Sequence, residues 1–166
     1  MKHIRAIDAM VLRFCTKVAH AFQLLTGRTN FFIAKLGVLI ASIAVTLGIA
    51  NYFHPLPHHP KSKLEMIFCI LYMPVLISRA LGLDEADRAR STSAEKTAIP
   101  GITNGSSFGV RATWLYFALW DTFSIIYQMQ SPVYTIVDAL WDVSLSYGLM
   151  IFYYFIAVEP LRPPKE

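Results

Sequence analysis

The chain has 166 residues, of which 55% are apolar and 16% charged, with 15 Lys and Arg against 11 Asp and Glu for a net charge of +4. Its charged fraction lies well below the ~25% of average soluble domains. Together with a mean hydropathy of +0.45, that leaves too little polar surface to cover a soluble globule. Two cysteines without repeated spacing, Cys15 and Cys69, exclude a disulfide framework and a zinc site, and read as buried thiols.

Residues 1–30 form the first unit. Ile4, Ile7, Val11, Phe14, Val18, Phe22 and Leu25 recur at helical spacing and share one face, while Arg13, Lys17 and His20 lie on the opposite one. A basic face opposite an aliphatic and aromatic one describes a helix lying in a membrane interface. Packing of that apolar face on other protein is the competing reading. Asp8, Arg13 and Lys17 interrupt any secretory-signal core. The segment shares the basic, amphipathic character of a mitochondrial transit peptide, but is expected to be retained. Gly27 closes it, and Asn30 is expected to cap the next helix.

Residues 31–53, "FFIAKLGVLIASIAVTLGIANYF", carry one charge, Lys35. As a helix they extend about 34 Å, enough for a hydrocarbon core of ~30 Å, with Lys35 snorkelling to the near surface. Gly37, Ala41, Ala44 and Gly48 fall in a row that lets another helix approach closely. "HPLPHHPKSK", His54 to Lys63, breaks the helix with its prolines and reads as a stiff turn. Its histidines lack interleaved carboxylates or thiols, so no metal is expected there, and no cofactor anywhere.

Residues 64–83 are the second expected span, kinked at Pro74, with Arg79 reaching the interface. Residues 84–111 read as a polar loop with a short helix near Asp84–Arg90. The loop serves as a connector or as a docking surface for a soluble partner. Gly101, Gly105 and Gly109 are not followed by Gly-Lys-Ser/Thr, which excludes a phosphate loop. Residues 112–130 and 133–158 are the third and fourth spans, a helical hairpin turning at Ser131–Pro132, and 159–166 are a tail.

Four spans place both termini on one side. Of the 15 Lys and Arg residues, all but Lys61 and Lys63 then fall on that side or near it. The positive-inside rule makes that side cytoplasmic. The expected location is a bacterial inner membrane, with an organelle inner membrane as the alternative.

The third and fourth spans each contain "ALWD", ending at Asp121 and Asp142. Both aspartates lie about ten residues from the hairpin turn, which puts them near mid-membrane at similar depth. Asp121, Ser124 and Gln128 form one polar stripe, and Thr135, Asp138, Asp142 and Ser146 another. A mid-bilayer carboxylate costs at least ~2.5–3.5 kcal/mol, so these stripes are expected to face each other, a wet cavity or a partner.

The expected fold is therefore an all-α integral membrane four-helix bundle with an N-terminal amphipathic interfacial helix. No HExxH, GxSxG or CxxC set occurs, so no enzyme is expected, and the dispersed basic residues offer no nucleic-acid surface. The expected partners are the lipid bilayer and other membrane subunits, or further copies of the chain. Two functions compete: a non-catalytic subunit or assembly factor of a larger membrane complex, and an oligomeric proton- or cation-handling transporter or channel using Asp121, Asp138 and Asp142.

Overall fold

Helix is the regular structure throughout the described residues of a computed structural model, which are 2–53, 63–92, 107–130 and 136–158. The elements are α1 (Lys2–Thr26), α2 (Asn30–Phe53), α3 (Lys63–Thr92), α4 (Phe108–Gln128) and α5 (Ile136–Ala157). The histidine-rich turn, most of the polar loop, the Ser131–Pro132 corner, Thr135 and the tail lie outside the described residues.

Two segments are long and apolar enough to cross a membrane: Asn30–Ala50 at mean hydropathy 2.2 and Met66–Glu85 at 2.0. The two lie in α2 and α3, where the sequence places its first two spans. α3 runs on past the apolar stretch, and the short helix expected near Asp84–Arg90 is its continuation. The residues there are mostly good helix formers, and a change from apolar to polar sequence does not by itself break the backbone ladder. Pro74 sits inside α3, which remains helical on both sides of it.

α1 ends at Gly27, whose φ of 72° is the left-handed conformation of a helix C-cap. Its N–H donates to the Gln23 carbonyl at 2.8 Å. At the start of α2 the capping group is Thr29, whose Oγ1 accepts from the Phe31 N–H at 3.3 Å. Asn30, expected to cap, is instead buried, and its side-chain amide donates to the carbonyls of Phe155 at 2.6 Å and Val158 at 2.9 Å. Phe155 lies in the last turn of α5 and Val158 just past its end, where helical carbonyls run out of i+4 donors; the Phe155 carbonyl also accepts from the Val158 N–H at 3.3 Å. Asn30 therefore ties the start of α2 to the end of α5.

Among the described residues the backbone neighbours run α3–α2–α5–α4, with α1 touching α2, α4 and α5. α3 makes no close backbone approach to α4 or α5. The arrangement is an open row rather than a closed square of four helices. The centre of the row is its tightest point. A Cβ on Gly37 would stand 2.5 Å from the Gly148 carbonyl oxygen and 2.8 Å from the Phe152 nitrogen. A Cβ on Gly148 would stand 2.7 Å from the Ala41 nitrogen. The backbones of α2 and α5 touch because neither residue has a side chain. Around this contact Ala34, Val38, Ala41, Val45, Leu149, Phe152 and Phe155 form the core.

Candidate functional site

Two polar groupings stand out: the stripe residues of α4 and α5, and a cluster at the opposite end of the same helices. Thr122 Oγ1 donates to the Ala118 carbonyl at 2.7 Å, so its one proton is used. The 2.6 Å bond between Thr122 and Tyr147 is therefore donated by the tyrosine. Near the other end Trp114 stacks on Tyr153 with ring centroids 6.5 Å apart. These two pairs fix the antiparallel register of the hairpin. Asp121 lies level with the turn around Ser146 and Tyr147, about one helical turn, or ~6 Å, from the level of Asp142.

Asp121, Ser124 and Gln128 are half-buried. Ser146 is buried, with its hydroxyl donating to the Val143 carbonyl at 3.3 Å. Asp138 and Asp142 belong to α5, but their side chains lie outside the described residues. The packing row Gly37, Ala41, Ala44 and Gly48 is buried throughout. On α1, Arg13 and Lys17 are exposed and His20 is half-buried.

The second grouping was not singled out by sequence. Asp8 of α1 is 5% exposed. The Arg111 guanidinium, in the first turn of α4, grips it with two parallel bonds, Nε to one oxygen at 3.1 Å and Nη2 to the other at 2.8 Å. The Tyr154 hydroxyl of α5 donates to the same carboxylate at 2.9 Å. One carboxylate thus joins three helices. Burial pushes its carboxyl up, but the bonds from Arg111 and Tyr154, with the guanidinium charge beside them, outweigh burial and hold it below the usual carboxylate range. Such an acid stays ionised and paired, which suits a clamp and not a proton carrier. Cys15, two turns along α1, is buried on the same side, and burial raises its thiol to about 11.

A third contact closes the row at this end. Lys35 Nζ of α2 reaches both carboxylate oxygens of Asp84 on α3, at 2.5 and 2.6 Å. The start of α2, the start of α4, the end of α5 and the polar part of α3 therefore gather at one end. α1 lies across it. From Asp8, over α4 and α5, to Phe22, stacked on Phe32 of α2, α1 rises about 21 Å. That matches two interhelical steps of ~8–10 Å each.

Sequence did hold a signal for the clamp. Asp8 is an acid in an otherwise basic segment, and Arg111 opens a long apolar stretch. Two unlike charges, each placed where a lone charge is costly, invite pairing. No family model matches the chain, and neither a curated protein nor a solved structure is significantly similar to it.

Proposed function

We propose that the chain is a four-span integral membrane protein that serves as a non-catalytic subunit or assembly factor of a larger membrane complex. The spanning part of this reading is supported by where α3 puts its apolar residues. A core helix of a soluble protein is apolar because it is buried. In the apolar window of α3 only 11% is buried. Phe68, Leu71, Val75, Ile77 and Leu81 all face outward. α4 and α5 complete the four spans, at 21 and 22 residues. By the positive-inside rule, the end carrying α1, Arg111 and the polar part of α3 faces the cytoplasm.

The observation that carries the subunit reading is the outer face of α4. α4 stands at the edge of the row and packs on α5 alone among the other long spans. Its outward residues are Tyr116, Phe117, Leu119, Trp120, Phe123, Ile126 and Tyr127, with Trp120 59% exposed. Aromatic side chains with polar tips favour membrane interfaces. Trp120 instead lies near the middle of α4, where lipid offers its indole N–H no acceptor. A partner helix offers both acceptors and ring contacts. An edge helix with such a face is suited to docking against another membrane protein.

The test places a photo-crosslinking residue at Trp120 and purifies the tagged chain from its own membranes in mild detergent. A discrete protein partner cross-linked at 120, present in stoichiometric amount, supports the reading. A lipid-only product overturns it. A product made only of further copies of this chain also overturns it, and favours the cation-handling reading through Asp121, Asp138 and Asp142.

A further inference from the structure

We propose that α1 is a binding surface for anionic phospholipid, with Asp8 buried so that the surface carries positive charge alone. The inference rests on the membrane-spanning reading and is independent of the subunit reading.

α1 divides into three sectors. One packs on the protein through Asp8, Cys15 and Ala19. A second is apolar and outward-facing: Ile7, Met10, Phe14, Val18 and Leu25, with Phe14 at 67% and Leu25 at 86% exposed. The third is basic, with Arg5, Arg13 and Lys17 exposed. The sequence pattern alone left open whether the apolar stripe packs on protein. Most of it does not, because the packed sector is a different and narrower one.

The helix also sits at the right level. It crosses the ends of α2, α4 and α5, so its long axis runs along the plane in which those spans meet water. Two further cations mark that plane. The Arg28 guanidinium lies 4.7 Å from the Phe32 ring centre at the start of α2. That of Arg5 lies 5.6 Å from the Phe108 ring centre at the start of α4. Stacking holds each guanidinium in place and leaves its in-plane N–H groups free for phosphate oxygens.

Charge selects the occupant. Asp8 is the sole acidic residue from Met1 to Phe53, and Arg111 and Tyr154 hold it inside. A zwitterionic headgroup gains little from a surface of one sign. An anionic one gains roughly five-fold in association for each Lys or Arg brought near it.

The experiment uses the full chain. Its membrane residence is established first, by retention in the pellet after alkaline carbonate washing. Release into the supernatant would overturn the spanning reading itself. Native mass spectrometry of the detergent-solubilised protein then compares phosphatidylglycerol with phosphatidylcholine of matched acyl chains. Wild type is expected to retain phosphatidylglycerol at least ten-fold more tightly. Arg13→Gln/Lys17→Gln/Arg28→Gln should bring the two lipids to within about three-fold, and Lys61→Gln/Lys63→Gln should leave the preference unchanged. Equal retention by wild type overturns the proposal, as does a preference that survives the triple change or is lost equally in the Lys61/Lys63 variant.

Discussion

Replacing Arg111 with Met tests how α1 is held. The substitution keeps most of the apolar length of the side chain and leaves Asp8 buried without its cation. Removing one partner of a buried ion pair costs ~3–5 kcal/mol. Tyr154 still donates to Asp8, so the lower figure applies, about 3 kcal/mol. Beyond the clamp α1 is held by the Cys15 and Ala19 sector, the Phe22–Phe32 stack and Arg5 over Phe108, none of which is part of the α2–α5 contact at Gly37 and Gly148. The loss therefore falls on docking of α1 and leaves the α2–α5 core intact. About 3 kcal/mol raises the undocked population roughly 150-fold.

Cys15 reports that population directly, because it lies on the packed face of α1 and is buried in the docked state. In a Cys69→Ala background, the rate at which Cys15 reacts with a small thiol reagent should rise about 100-fold in Arg111→Met, scaling with the open population. Asp8→Leu/Arg111→Met removes both charges and should recover most of the protection. A rate for Arg111→Met within three-fold of wild type would refute the clamp, as would a double variant no slower than the single one. The pH dependence follows from the same pair. The folded carboxyl of Asp8 sits below its ordinary value of 3.8. Its contribution is thus complete above the unfolded pKa and is lost as pH falls through the lower folded value. Docking should be constant from about pH 5 to 8 and weaken only below about 4, measured with a disulfide reagent that reacts in acid.

Gly37→Ala or Gly148→Ala should destabilise the α2–α5 contact by at least ~1–3 kcal/mol, read by SDS titration of bicelle-embedded protein; an unchanged midpoint would mean the helices do not touch there. Asn30→Ala removes two donors from the end of α5 and should cost ~1–3 kcal/mol in the same titration, with faster hydrogen exchange confined to the junction of α2 and α5. Asp84→Asn should cost less than ~1 kcal/mol, because the Lys35 and Asp84 side chains are 28% and 40% exposed. A loss of several kcal/mol would place that pair out of reach of water.

The two segments long and apolar enough to cross a membrane were legible through length and apolarity, properties of single segments that need no knowledge of neighbours. The row of Gly37, Ala41, Ala44 and Gly48 was visible for the same reason, since small residues at helical spacing mark a face wherever it packs. What it packs against was not visible. Gly148 stands alone in α5, where a lone glycine reads only as a mild cost to the helix. Its role appears once Gly37 is opposite it. The extent of α3 was hidden differently. Hydropathy reports where apolar sequence stops, while the backbone ladder continues through Asp84, whose carboxylate pairs with Lys35 from another helix.

The clamp was the harder loss, and its cause is general. Hydrophobic periodicity found the apolar face of α1 and left open whether membrane or protein covers it. The structure packs a different sector, that of Asp8, Cys15 and Ala19, and leaves Phe14 and Leu25 outside. In water that choice would waste apolar area worth ~25 cal/mol per Å². In a membrane interface lipid covers the outward stripe, so the protein-facing sector can be small and polar where a partner charge is available. The face that periodicity finds is the one that meets the most apolar surroundings. For a soluble helix that is the core, and for α1, under the proposed membrane reading, it is the bilayer. Asp8, bonded to Arg111 and Tyr154, fixes which way the helix is rolled, and so which side chains face outward. Rolling α1 by one residue, about 100°, would carry Asp8 out of reach of Arg111.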